Sequence, residues 1–269
     1  MSENKKEVSE DDLKEEKGIS LYEGKPFTGI CKDFKDYTKP FGNEETSYKN
    51  GKKDGLSITW FLSGGKASEA NYKDGKMDGL YFLWYENGQK EWKKYFKDGK
   101  SDGHWVLWYE DGRKKGEGEY KNGEAVGTHI HWHENGKKQE EITFKNDKED
   151  GVRFIWHENG KKKSETYYVN GLIDGDFKSW YENGKKKYVS TYKDGKLDIT
   201  NLWYENGQQK YEGRFKDDLK DGLWTFWHEN GVKKSEEHFQ RGLQNGLVTE
   251  WDEEGNKAYE KNFVDGNEE

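Results

Sequence analysis

The sequence predicts an all-β fold, an elongated single-layer antiparallel meander of about ten 24-residue hairpin units. Three observations predict it. An aromatic residue recurs at Tyr48, Tyr72, Phe96, Tyr120, Phe144, Tyr168, Tyr192, Phe215, Phe239 and Phe263, in steps of 24 residues except for one of 23. A tryptophan stands twelve residues into every complete copy, at Trp60, Trp84, Trp108, Trp132, Trp156, Trp180, Trp227 and Trp251, with Trp203 one residue early in the shortened copy. Glycine takes 33 positions and proline only 2, so residues that permit positive φ are plentiful and residues that break ladder hydrogen bonds are scarce.

Each unit contains two strand signals. Gly79-Leu80-Tyr81-Phe82-Leu83-Trp84-Tyr85 is a short apolar and aromatic run, and a polar run ending at Tyr95-Phe96 follows Glu86-Asn87-Gly88-Gln89. Asn-Gly between two such runs predicts a type I′ hairpin turn, because both residues tolerate φ > 0. The pair recurs at Asn135-Gly136, Asn159-Gly160, Asn183-Gly184, Asn206-Gly207 and Asn230-Gly231, with Asp111-Gly112 as its equivalent. A second signal, Lys73-Asp74-Gly75-Lys76, is expected to join consecutive hairpins through a longer loop closed by Asp78-Gly79. Roughly twenty strands at ~4.8 Å each imply a sheet on the order of 90 to 100 Å long, coiled by its own twist.

The expected domain boundaries follow. Residues 1–20 read as a charged, disordered tail in which Ser9-Glu10-Asp11-Asp12 resembles a capping box. The repeat domain spans 21–269. It comprises a degenerate copy over 22–47, in which Gly29 takes the glycine position and Phe34 replaces the tryptophan, full copies over 48–262 and a truncated copy over 263–269.

Composition limits the function. A net charge of −8 opposes nucleic acid or an anionic bilayer as the main partner, since both require a cationic footprint. Cys31 is the single cysteine, no structural-zinc pattern is present, and no cofactor is implied. Neither a spanning apolar run nor a signal-peptide core occurs, so the chain reads as cytoplasmic; a secreted form trimmed of its signal would read the same way. No phosphate loop or catalytic arrangement stands out from the repeat background, and no enzyme activity is expected.

The pattern of aromatic, Lys, Asp/Asn, Gly and Lys, then Gly, then Trp-Tyr-Glu-Asn-Gly-Lys resembles the MORN-repeat variant of bacterial, antitoxin-like proteins, over residues 22–269. Gly79, Gly103, Gly127, Gly151, Gly175, Gly222 and Gly246 each lack the second glycine of the Gly-x-Gly carried by the better-known MORN repeat, which argues against a membrane role. The resemblance implies an extended β ribbon used for protein contacts.

Strand alternation places Leu80, Phe82 and Trp84 on one face and Tyr81, Leu83 and Tyr85 on the other. The tryptophan column is expected to stack between units as a miniature core. The opposite face is then the candidate partner surface, with Tyr81, Trp105, Phe177 and Trp224 at one repeat position and Tyr85, Tyr109, His133, His157, Tyr181, Tyr204 and His228 at another. A Lys column (Lys66, Lys90, Lys114, Lys138, Lys162) and a Glu column (Glu69, Glu117, Glu141, Glu165) lie three residues apart, on opposite faces of an ideal strand, and read as solubilising charge. His129, His131 and His133 form a weak metal candidate, because alternate residues of a strand share a face.

The functional expectation is a non-enzymatic scaffold for one protein partner, of antitoxin or immunity type. The alternative is a carbohydrate-binding or cell-surface-binding aromatic repeat.

Overall fold

The computed structural model describes residues 6–33 and 42–269, so the Phe34 position lies outside the described residues. The chain divides into two compact units, Met1–Gly136 and Lys137–Glu269. Each is an open antiparallel meander of the predicted class. In the first, strands Glu44–Lys49, Lys52–Trp60, Lys66–Lys73, Lys76–Trp84 and Lys90–Lys97 pair in sequence order. In the second, Lys162–Val169, Leu172–Trp180, Lys186–Lys193, Lys196–Trp203 and Gln209–Lys216 do the same. The one helical turn among the described residues is the 3-10 turn Glu10–Asp12.

The two turn types are exchanged relative to expectation. At Asp74-Gly75 both residues have positive φ, 50° and 85°, and Lys73 pairs directly with Lys76, which makes this the type I′ hairpin. At Glu86-Asn87-Gly88 only Gly88 has positive φ, 83°; its N–H donates to the Tyr85 carbonyl at 2.9 Å and the Tyr85 N–H donates to the Gln89 carbonyl at 2.8 Å. That is a type I turn closed by a glycine bulge. Asn87 serves it through its side chain, whose Oδ1 accepts from the Gln89 N–H at 2.9 Å. The expected longer loop is absent. Asp78 and Gly79 lie inside the strand Lys76–Trp84, where Gly79 (φ 121°) marks the register shift between Ala70 and Tyr72.

Consecutive copies are tied together at this end. The Gly75 N–H donates to the Lys53 carbonyl at 2.8 Å, and the Asp74 N–H donates to the Asp54 carboxylate at 3.2 Å. The same pair of bonds joins Gly99 to Met77 and Asp98 to Asp78, and in the second unit Gly171 to Glu149 and Asn170 to Asp150. The aspartate expected to close a loop is thus the acceptor that holds the following copy's turn.

The segment expected to be a disordered tail is folded from residue 6 onward. Glu7–Ser9 adds as a parallel strand beside Gly29–Asp33, and Leu13–Glu16, Ile19–Tyr22 and Lys25–Pro26 form a separate three-stranded sheet. Val8 is buried against Phe27 and Cys31, with Leu13, Tyr22 and Tyr48 packed around them. Few apolar residues suffice here, because backbone pairing along a strand edge needs no hydrophobic side chain, and the segment covers the edge of the first strand. The capping box is real: the Ser9 side chain accepts from the Asp11 N–H and Asp12 Oδ2 accepts from the Ser9 N–H.

Candidate binding surface

Antiparallel register fixes which side chains share a face. Tyr81 pairs with Ala70 and Lys94, Trp105 with Gly118, and Phe177 with Thr166 and Ser190. A wide ring therefore lies beside a small residue on a neighbouring strand, and the fit buries it. A Cβ on Gly213 would come within 2.2 Å of the Trp224 ring, and one on Gly116 within 3.1 Å of the Trp105 ring. Trp105 is 7% exposed and Trp224 3%. Around Trp224 the rings of Tyr211, Phe215 and Phe239 stand 5.8, 5.1 and 6.3 Å away.

This corrects the assignment of faces. Trp105 and Trp224, expected as an exposed binding row with Tyr81 and Phe177, are core residues of the aromatic face, where Tyr81 and Phe177 are half-buried. The Trp84 column, expected as the core, is half-buried on the opposite face. Equivalent tryptophans are separated by two strands, ~9.6 Å, beyond ring contact. A lysine of the preceding copy covers several of these rings instead: Lys66 Nζ lies 5.3 Å from the Trp84 centroid, Lys114 5.7 Å from Trp132 and Lys162 5.6 Å from Trp180.

The same lysines hold the glutamate column. Lys66 pairs with Glu69 at 2.6 Å, Lys114 with Glu117 at 2.7 Å and Lys162 with Glu165 at 2.7 Å. An ideal strand would put these partners on opposite faces. A bulge restores them to one face: Trp156 pairs with Lys162 and Ile155 with Ser164, so Lys163 is the extra residue and the alternation slips by one.

The Tyr/His row is also structural. The Tyr85 hydroxyl donates to the Trp108 carbonyl at 2.8 Å, Tyr109 to Trp132 at 2.6 Å, Tyr181 to Trp203 at 2.7 Å and Tyr204 to Trp227 at 3.0 Å. His157 and His228 make the same bond from Nε2, to the carbonyls of Trp180 (3.0 Å) and Trp251 (2.9 Å); since a carbonyl only accepts, Nε2 carries the proton. Burial raises the phenol pKa of Tyr85, Tyr109, Tyr181 and Tyr204, which keeps them donors. His133 occupies the same repeat position. The turn asparagines add a parallel tie, Asn87 Nδ2 donating to the Glu110 carbonyl at 2.8 Å and Asn159 Nδ2 to Glu182 at 2.9 Å.

Two of the three candidate metal ligands pack against rings. His129 is buried, its ring 5.6 Å from those of Trp105 and Tyr120 and its Nε2 2.9 Å from the Glu119 carbonyl, and the His131 ring lies 5.9 Å from that of Trp105. Among the described residues no group of three or more His, Cys, Asp or Glu is placed to hold a metal ion.

In the second unit the structure does gather three of the expected residues. His157, Phe177 and Tyr181 line one groove of about 480 Å³ with Ser164, Ser179, Trp180, Lys163, Lys187, Glu182 and Glu205. Lys163 is a bulge residue. Lys187 takes the same place in the next copy, where Trp180 pairs with Lys186 and Ser179 with Tyr188, and its ammonium lies 5.5 Å over the Tyr181 ring. Neither lysine stood out in the sequence; the signal was the triple Lys161-Lys162-Lys163, repeated at Lys185-Lys186-Lys187. The groove thus combines aromatic side chains with residues of both charges. Among the described residues no helix is long and apolar enough to cross a membrane.

Hairpins tied at both turns and packed ring against glycine define a β-repeat scaffold. The repeats match a known family, the MORN repeat variant, in six stretches: 101–122, 125–146, 149–170, 173–194, 220–241 and 244–265. The shortened copy around Trp203 lies in none of them. Comparison with curated proteins finds no match.

Proposed function

We propose that the chain is a non-enzymatic scaffold that binds a protein partner along its aromatic face, with the groove around Phe177 as the contact centre. The observation that carries this reading is the groove itself. The rings of His157, Phe177 and Tyr181 line it together with Lys163, Lys187, Glu182 and Glu205, a mixture of aromatic and charged side chains of the kind found at protein interfaces. The row that ties copies together also sets the spacing of the groove walls, so the recognition surface is held by the scaffold rather than by a mobile loop. An antitoxin or immunity-type role is one form this binding takes.

The test is affinity capture from the native organism's lysate with the full chain and with the Lys163→Glu/Lys187→Glu double variant. A protein held stoichiometrically by the first and lost from the second, at unchanged melting temperature, supports the groove. Equal capture by both removes the groove from the reading, and retention only on glycan beads moves the assignment to a carbohydrate-binding repeat.

A further inference from the structure

The aromatic face of the first unit contains a second site of different chemistry. Lys94 lies on this face with its ammonium 5.1 Å from the Trp92 ring centroid, 5.4 Å from Phe96 and 4.8 Å from Tyr120. It has no ion pair among the described residues, and burial alone lowers its pKa, with no carboxylate contributing. The pairs Trp92 with Leu107 and Lys93 with Val106 set Lys94 beside Trp105. The indole N–H groups of both Trp92 and Trp105 are buried without an acceptor. Two buried indole donors without acceptors therefore stand beside a half-buried ammonium that has no ion pair among the described residues. An unmatched buried donor is destabilising, so the arrangement is stabilised by a ligand that supplies acceptors.

A parallel cluster in the second unit shows that the repeat does not require this. Lys220 Nζ lies 4.4, 5.3 and 4.6 Å from the Trp224, Phe226 and Phe239 centroids, the same kind of cage. There the Trp224 indole N–H donates to the Arg214 carbonyl at 3.1 Å. The cage around Lys94 is the one left short of acceptors.

We propose that the Lys94 cluster takes a carboxylate, presented by an Asp or Glu side chain in an acidic segment of the partner. The ammonium supplies the charge that recognises the carboxylate, and the indole N–H groups of Trp92 and Trp105 supply the two donors its oxygens accept from. On binding, Lys94 exchanges ring contacts for an ion pair, which returns its pKa upward. This inference rests on the protein-partner reading, but its site lies in the other unit from the Phe177 groove and is tested without the native partner.

The experiment is titration of the ¹⁵N-labelled full chain with hexaglutamate at low salt, following the tryptophan indole N–H resonances, with hexalysine as control. Trp92→Phe and Trp105→Phe assign the two signals. Expected are saturable shifts of these two indoles with hexaglutamate only, at least tenfold weaker in Lys94→Met, which keeps the stem over the rings, and retained in Lys94→Arg. Shifts that persist in Lys94→Met, or that fall on other tryptophans while these two stay fixed, overturn the proposal. Loss of groove-dependent capture with the hexaglutamate response intact would instead fail the Phe177 groove alone.

Discussion

Trp105 in the first unit and Trp224 in the second occupy one repeat position, and both bury a wide ring beside a glycine, yet their indole N–H groups meet different fates. Trp224 donates to Arg214, while Trp105 has no acceptor. The shared part, ring on glycine, is what the repeat needs to close a face in a single layer. The unshared part is where copies diverge in chemistry, so in a repeat protein function is to be sought in the departures from the consensus copy.

The largest test of the shared part is Gly213→Val or Gly118→Val. The Cβ of the first meets the Trp224 ring at 2.2 Å and that of the second meets the His129 ring at 2.5 Å, and each is expected to cost about 3 kcal/mol in urea unfolding. A cost under about 1 kcal/mol at either site would mean that the face repacks freely. The unshared part is tested by Trp224→Phe against Trp105→Phe. The first loses a hydrogen bond and the second removes an unmatched donor, so the Trp224 change should cost about 1 kcal/mol more. Equal costs would place an acceptor on Trp105.

A similar magnitude is expected for the ties between copies. Tyr181→Phe keeps the ring and deletes the bond to the Trp203 carbonyl, at about 1 kcal/mol, and an unchanged midpoint would free the Tyr row for the binding role expected of it from sequence. Asp218 stands at φ 63° in the type I′ position that Gly75 fills in its own copy, so Asp218→Gly should raise stability by about 0.5 kcal/mol. The smallest effect is a dependence on pH. The Asp102 carboxyl is held below its ordinary pKa by the Asn122 N–H and by Lys121. Its stabilisation is present above the ordinary aspartate range and is lost as pH falls through the depressed value. Asp102→Asn should flatten the acid limb of the stability curve, and an identical acid limb would show that the contact is broken in solution.

Much of the candidate surface was legible as repeat positions but not as faces. Alternation along Leu80 to Tyr85 shows which side chains go together; which set is covered depends on what stands across the strand, and Gly118 and Gly213 lie on the strands that neighbour those of Trp105 and Trp224. Ideal alternation sets Lys66 and Glu69 on opposite faces, because the bulge that reunites them inserts one residue without any local sequence mark. Asn87-Gly88 and Asp74-Gly75 are both valid type I′ dipeptides, and only the stacking of neighbouring copies decides which is used. The strand Glu7–Ser9 is not legible in the sequence because its order comes from the edge it covers rather than from its own hydropathy.

By itself the sequence determined the period, the two strands and two turns of each unit, and the all-β class, because these rest on local chemistry: glycine at positive φ, aromatic runs and spacing. Only the tertiary structure decided which rings are buried, which hydroxyls and imidazoles are spent in ties between copies, and where Lys94, Trp92 and Trp105 stand together without acceptors. Those outcomes depend on contacts between neighbouring strands, such as Gly213 with Trp224 and Tyr85 with Trp108, whose side-chain volumes and hydrogen bonds are matched across strands rather than along them.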